Sequence, residues 1–237
     1  MKRLLLMGLL FVLLITACAP AAATEAPSEM TEPSEDNIPD METLGAAEQA
    51  AIEQLAESLG LEATEIIFLS SEETEFSDAC LDVAIEGILC AQTVTPGRLI
   101  TLEANGLQYA YHASEDGTQV QPASIALIWQ REGGIAGFCD TLTVFRSGEV
   151  VATNCKSQAE GITGRLASLT SAQEREQFNQ WMADFGEVDL DDSDPAGVAD
   201  RMKVSLKLTG AGDELPTQAE EQDLFGFAQD LYQDLTR

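Results

Sequence analysis

The spacing of apolar residues divides the chain into short helices and strands. A helix ending at Gly60 is predicted because four apolar residues recur at about 3.6-residue spacing, namely Ala47, Ile52, Leu55 and Leu59. The apolar run Ile66–Leu69 predicts a strand. Two further strand-like stretches flank Asn105-Gly106, which is the strongest short signal for a β-hairpin. Residues 46–122 therefore predict a helix followed by a small antiparallel sheet.

Residues 123–237 predict the order strand, loop, strand, strand, helix, strand, helix. The first strand covers 124–130, and a hairpin turns at Ser147-Gly148. Both helices begin with a hydroxyl residue and a glutamate three positions later, a capping box: Thr170 or Ser171 with Glu174, and Thr217 with Glu220. We expect an α+β fold of two small domains, each an antiparallel sheet with helices packed on one face.

The N-terminal hydrophobic run differs from these elements because it has no polar positions. Lys2 and Arg3 precede the apolar segment 4–15, which is about a dozen residues long. A helix that spans a bilayer needs roughly 20 apolar residues. We therefore interpret residues 1–17 as a signal peptide.

The end of this run resembles the lipobox of bacterial lipoproteins. Ile15-Thr16-Ala17-Cys18 has a branched apolar residue, two small residues and then a cysteine. The resemblance implies that Cys18 is lipidated and becomes the N-terminus of an exported protein on the cell membrane or outer membrane. Ala19, in place of aspartate, favours the outer membrane in a two-membrane cell. The alternative is an ordinary signal peptide with an unrelated cysteine.

Residues 18–45 have the composition of a disordered tether. Residues 19–45 hold four prolines, seven acidic residues and no basic or aromatic residue. Such a segment cannot bury enough apolar surface to offset its chain entropy. We expect it to separate the folded part from the membrane.

The net charge limits the partners that the protein can bind. It is −29 for the whole sequence and −31 once Lys2 and Arg3 have been removed. Nucleic acids and anionic lipids require basic patches, so neither is an expected electrostatic partner. We interpret the acidic surface as one that keeps the protein soluble; the alternatives are steering toward a basic partner and adaptation to a salty medium.

The five cysteines divide into Cys18 and an even set of four, Cys80, Cys90, Cys139 and Cys155. Four cysteines in an oxidising compartment allow three pairings. We expect Cys80–Cys90 and Cys139–Cys155, because each pair lies within one predicted local unit. A zinc site is disfavoured, since there is no C-x-x-C motif and His112 is the only histidine.

No catalytic motif is found, so the sequence predicts a non-enzymatic protein without a metal or cofactor. His112 lies in an aromatic strand and is interpreted as structural. The acidic group Asp189, Asp191, Asp192, Asp194 and Asp200 starts like a calcium loop. Aspartate nevertheless occupies the glycine position of such a loop. We interpret it as an acidic surface loop.

The first predicted domain resembles a module found in exported bacterial proteins of unassigned function. The resemblance rests on a pattern of paired cysteines and a Tyr-x-Tyr-His strand: Ser77, Asp78, Cys80, Leu81, Cys90, Ala91, Gln92, Pro96, Gly97, Gly106, Tyr109, Tyr111 and His112. Phe76 stands where tryptophan is usual. The resemblance implies no activity.

The glycine-rich loop of the second domain resembles the signature of the emfourin family of inhibitors of thermolysin-like metalloproteases. The loop is Gly133-Gly134-Ile135-Ala136-Gly137-Phe138, and the resemblance covers 123–236. It implies that these six residues bind a protease, with Ile135 and Phe138 filling apolar pockets. Cys139, Cys155 and a longer loop at 187–197 depart from the family. The alternative is a structural bulge with Phe138 buried.

Two functions therefore remain open from the sequence. The first is a membrane-anchored lipoprotein whose C-terminal module binds or inhibits a secreted metalloprotease. The second is a cell-envelope binding or scaffold lipoprotein without inhibitory activity, with a glycan, peptide or envelope protein as partner.

Overall fold

The computed structural model describes residues 43–155, 165–169 and 171–237. The predicted signal peptide, Cys18, nearly all of the predicted tether and Thr170 lie outside these residues. Within the described ranges, no helix is long and apolar enough to cross a membrane.

The first half forms a four-stranded antiparallel sheet covered by one helix, α1 (Ala46–Leu59). The strands follow one another in the order β1-β2-β3-β4: β1 (Ile67–Phe76), β2 (Thr95–Ala104), β3 (Leu107–Ser114) and β4 (Val120–Pro122). Gly60 ends the helix in the left-handed conformation, at φ 68°. Asn105 and Gly106 both have positive φ, as a tight hairpin turn requires. The predicted helix and hairpin are confirmed.

The strand β1 is longer than the apolar run Ile66–Leu69 predicted. It continues through a polar stretch to Phe76, and nine of its ten residues pair with β2, with a bulge at Leu69. Because β1 is an edge strand with exposed side chains, its pairing comes from the backbone and leaves no apolar pattern in the sequence.

The second half forms a six-stranded antiparallel sheet with two helices, α2 (Ala172–Asp184) and α3 (Gln218–Thr236). The strand order is β8-β7-β6-β5-β10-β9: β5 (Ile125–Gly133), β6 (Phe138–Phe145), β7 (Glu149–Asn154), β8 (Arg165–Ser168), β9 (Glu187–Asp191) and β10 (Met202–Thr209). Ser171 caps α2 and Thr217 caps α3, each with its capping-box glutamate. The predicted α+β class, with two antiparallel sheets, is confirmed.

Two strands of this sheet, β8 and β9, were missed. The sequence of β8 is Arg-Leu-Ala-Ser, which has no β-branched or aromatic residue. In β9 the acidic residues concealed the alternation of Val188 and Leu190, and the segment 187–197 was predicted as a loop. Val188 is only 6 % exposed, so burial of one apolar face draws this acidic segment into the sheet.

Both helices pack on one face of the six-stranded sheet and form the larger core. Trp129 of β5 and Leu206 of β10 are buried there, beneath Phe178 of α2 and Leu224 of α3. The rings of Trp129 and Tyr232 lie 5.5 Å apart between their centroids. The apolar stripes predicted for the helices are therefore core residues.

Part of the opposite face of the six-stranded sheet, at β6 and β7, is covered by the loop between β1 and β2. Val83 and Ile85 of this loop pack against Phe145 and Val151 of the sheet. The hydroxyl of Thr153 donates to the carbonyl oxygen of Glu86 at 2.9 Å. The two halves of the body are therefore joined by an apolar contact. Without the first half, apolar side chains on this face of the second sheet would lose the residues that cover them.

Both expected disulfides are present. Cys80 and Cys90 close the loop between β1 and β2, with 5.6 Å between their Cα atoms. Cys139 and Cys155 join the start of β6 to the residue that follows β7, at 5.7 Å. Disulfides persist in oxidising compartments, so this protein is one that folds outside the reducing cytosol.

Candidate functional site

The glycine-rich segment forms the tip of the β5–β6 hairpin. β5 continues to Gly133 and β6 begins at Phe138, so only Gly134–Gly137 form the turn. The N–H of Gly137 donates to the carbonyl of Gly134 at 3.0 Å. The sequence had predicted a loop from 133 to 138, and the structure shortens it at both ends because its outer residues pair in the sheet.

Three glycines of the tip have left-handed backbone conformations. Gly133, Gly134 and Gly137 have φ values of 84°, 68° and 63°. A side chain on Gly133 would place its Cβ 2.4 Å from the carbonyl oxygen of Arg201. Glycine is therefore needed both for the backbone angles and for the close approach of the neighbouring chain.

The tip is held from below by Arg131. Its guanidinium lies 4.0 Å from the centre of the Phe138 ring and 5.4 Å from that of Trp129. Its Nε donates to Oδ2 of Asp140 at 3.0 Å. Stacking and pairing with a carboxylate exploit the planar, always charged guanidinium. The side chain that was expected to enter a partner, Phe138, is instead half-buried and stacked against the guanidinium of Arg131.

Asp140 connects this stack to the C-terminal helix. It is 8 % exposed, and its Oδ1 accepts a hydrogen bond from the hydroxyl of Tyr232 at 2.8 Å. Burial and the neighbouring Asp140 carboxylate raise the pKa of Tyr232 to about 12, so its hydroxyl remains a donor. The carboxylate oxygens of Asp140 thus bind one partner on β5 and one on α3.

The Cys139–Cys155 disulfide fixes the same hairpin close to its tip, where Cys139 pairs with Glu132. Cys139 follows Phe138, and the N–H of Cys155 also donates to Cys139 Sγ at 3.1 Å. The tip therefore rests on a covalent link and a buried ion pair. Of the predicted site residues, Ile135, Ala136 and Gly137 are exposed, and Ile135 carries the large apolar side chain, with 92 % of its surface exposed.

Sequence reasoning missed the support of the tip. Arg131 and Asp140 are direct partners across the β5–β6 pair. The hairpin register would have placed them together, had β5 been extended to Gly133. Tyr232 lies 92 residues from Asp140 and left no local signal.

The acidic residues once compared with a calcium loop do not converge on one point. Asp189 pairs with Lys207, Asp191 accepts from the N–H of Ser193, and Asp194 accepts from the N–H of Met202. Among the described residues, one group of side chains lies close enough together to hold a metal ion, namely Asp78, Cys80 and Cys90. The two cysteines of this group form a disulfide with each other.

His112 lies in β3, as predicted, and is held by packing and one hydrogen bond. Its ring stacks on Phe76 with 5.1 Å between centroids, and its Nδ1 lies 2.6 Å from the carbonyl oxygen of Leu81. These contacts support the structural role that the sequence suggested.

A buried carboxylate joins the two sheets. Glu149, at the start of β7, is 1 % exposed. Its Oε2 accepts from the hydroxyls of Tyr111 at 2.9 Å and Ser147 at 2.5 Å, and its Oε1 accepts from the amide of Gln54 at 2.5 Å. Burial raises the pKa of Glu149, although the donors around it oppose the rise. Within the described residues, no lysine or arginine forms an ion pair with it.

Comparison with known proteins adds one match. A family described as "Domain of unknown function (DUF8738)" matches residues 48–122, about a third of the chain. No curated protein and no solved structure matches the chain. The match ends where β4 ends, so the resemblance of residues 123–236 to emfourin inhibitors stays a prediction.

Proposed function

We propose that this protein is an exported lipoprotein that binds a partner protein through the tip of the β5–β6 hairpin. The acyl chains on Cys18 hold it to a membrane, and the two-sheet body stands outside the cytosol. The exposed Ile135 on a stiffened tip is the observation that carries the proposal. An apolar side chain almost fully in water, at the end of a rigid support, is suited to filling a pocket.

The stiffness of the tip favours binding because little chain entropy is lost on association. Arg131 stacks under the tip, and Asp140, Tyr232 and the Cys139–Cys155 disulfide hold the strands that carry it. The glycine backbone at the turn presents few side chains, so the main chain can approach a surface closely.

A secreted metalloprotease of the thermolysin type is the partner that the resemblance to emfourins favours. In that complex Ile135 would occupy a substrate pocket and the glycine backbone would block the cleft. The alternative is an envelope scaffold lipoprotein without inhibitory activity. The Cys139–Cys155 disulfide next to the hairpin tip favours that alternative, since both cysteines depart from the emfourin pattern.

Replacement of Ile135 by aspartate should weaken inhibition of a susceptible protease by about thirtyfold or more, because a buried apolar anchor becomes a charge. The inhibition constant is measured against a panel of thermolysin-like enzymes with the whole chain, since residues 83–88 cover part of one face of the second sheet. Gly134 is left unchanged, because any side chain there is strained at its φ of 68°.

Leu89→Asp is the matched control, because Leu89 is also an exposed apolar side chain, at 86 %. It should leave both inhibition and the melting temperature unchanged. If the unsubstituted chain inhibits no protease of the panel at micromolar concentration, the inhibitor proposal fails and the scaffold proposal stands.

Replacement of Cys18 by alanine should move the protein from the detergent phase to the aqueous phase in a detergent partition experiment. Several acyl chains on one cysteine give stable anchoring, since each buried CH₂ contributes about 0.8 kcal/mol. Intact-mass measurement should show the lipid only on the chain with cysteine. Equal partition of both chains would contradict anchoring through Cys18.

A further inference from the structure

Among the residues that the structure describes, no strand pairs with the outer edge of β9. β9 is the outermost strand of the six-stranded sheet, next to β10. Just beyond its end, the N–H groups of Asp192 and Asp194 donate to Val204 and Met202 of the β10 side. Successive residues of a strand point their N–H and C=O groups to opposite sides. The N–H and C=O groups of Glu187, Asp189 and Asp191 therefore point away from β10.

A cleft of about 460 Å³ runs along this edge, between β9 and the first turns of α3. Its floor includes Leu190 and Phe225, which pack against the main core. The other lining residues are four acidic residues and two glutamines: Asp189, Asp191, Asp192, Glu221, Gln218 and Gln222. None of the lining residues is basic.

We propose that the edge of β9 accepts an extended basic peptide segment as an additional antiparallel or parallel strand, held by backbone hydrogen bonds and by lysine or arginine side chains. The unpaired N–H and C=O groups supply the affinity of strand addition, and alternate side chains supply its specificity. Side chains on one side of the added strand meet Phe225 and Glu221 of α3. Those on the other side meet Asp189 and Asp191.

The negative charge of the edge disfavours a second copy of this chain as the binding partner. Pairing β9 with β9 would bring the exposed carboxylates of Asp189 and Asp191 against their own equivalents, and like charges directly opposite are destabilising. The same charges attract a basic segment. Of the cations near the edge, Lys207 is already paired with Asp189 at 3.5 Å, and Arg201 donates to the carbonyl oxygen of Asp194.

The site lies on another strand from the hairpin tip, so the two proposals are separable. A peptide of alternating lysine and valine, blocked at both ends, serves as the probe, and its affinity is measured by calorimetry with the whole chain. Asp189→Asn with Asp191→Asn should weaken binding by about tenfold at low salt, because two exposed charge pairs are lost. Ile135→Asp should have no effect on it.

The control variant is Glu72→Gln with Glu75→Gln, which removes two carboxylates from β1, the other acidic edge strand. It should leave the affinity within about twofold. An equal loss in both variants would show that the net charge of the chain attracts the peptide without a site, and would overturn the proposal.

The backbone contribution is tested separately. Asp189→Pro removes an N–H that points outward, and proline is tolerated at such positions of edge strands. It should weaken binding at least about fivefold beyond Asp189→Asn. A probe with methylated alternate amides, used on the unsubstituted chain, should bind equally poorly and needs no protein variant. Binding that survives the methylation overturns strand addition, and so does an absence of binding by the unmodified probe at millimolar concentration.

Discussion

Replacement of Asp140 by alanine should lower the free energy of unfolding by about 3–5 kcal/mol, the cost of leaving a buried charge without its partner. The side chains of Arg131 and Asp140 are 15 % and 11 % exposed, so the unpaired guanidinium would stay largely away from water. The hydroxyl of Tyr232 would also lose its acceptor. Urea unfolding followed by tryptophan fluorescence measures the change, since Trp129 lies under Arg131.

Asp189→Ala is the control for this substitution, because it breaks an ion pair whose side chains are 68 % and 72 % exposed. Exposed pairs contribute about 1 kcal/mol at most, so its stability should hardly change. Asp140→Asn keeps the side-chain shape and one oxygen acceptor, and should be intermediate. A loss below about 1 kcal/mol for Asp140→Ala would mean that the pair does not hold the hairpin.

The parts of the fold that the sequence predicted are those specified by neighbouring residues. The capping boxes at Ser171 and Thr217 need only residues three positions apart. The turn at Asn105-Gly106 needs two residues with positive φ. The cysteines of each disulfide are 10 and 16 positions apart, within single local units, and both expected pairs formed.

The parts that were missed depend on partners far along the chain. β9 is a strand because Val188 enters the core and β10 supplies backbone partners, whereas its own sequence is dominated by carboxylates. Phe138 lies beneath a guanidinium that only the hairpin register brings there. No local pattern marks the contact between Tyr111 and Glu149, which are 38 positions apart.

The same limit applies to the candidate site. The glycines and Ile135 were identified from a contiguous motif, and the structure does place them at one exposed tip. What makes the tip stiff lies in Arg131, Asp140 and Tyr232, which belong to three different elements. A short motif therefore predicts the position of the candidate site, whereas the stiffness that favours binding arises from tertiary packing.

Replacement of Glu149 by alanine should lower the free energy of unfolding by roughly 3 kcal/mol, because the hydroxyls of Tyr111 and Ser147 and the amide of Gln54 would lose their acceptor. The loss should loosen the contact between the two sheets. Glu57→Ala is the control, since Glu57 lies exposed on the same helix as Gln54. A change of equal size in the control would contradict the argument.

Glu149→Gln isolates the effect of the charge through its pH dependence. Burial raises the pKa of Glu149 in the folded state above its value in the unfolded chain, so the folded state binds the proton more tightly. The stabilisation from this group is therefore fully present below the unfolded pKa and is lost as pH rises through the folded pKa.

Glutamine does not titrate, and the contributions of the other carboxylates to the pH dependence cancel when the two chains are compared. The unfolding free energy of the native chain minus that of Glu149→Gln should fall from acidic to neutral pH in urea titrations. A difference that is constant or rises with pH would show that the carboxylate is not buried between the sheets as described.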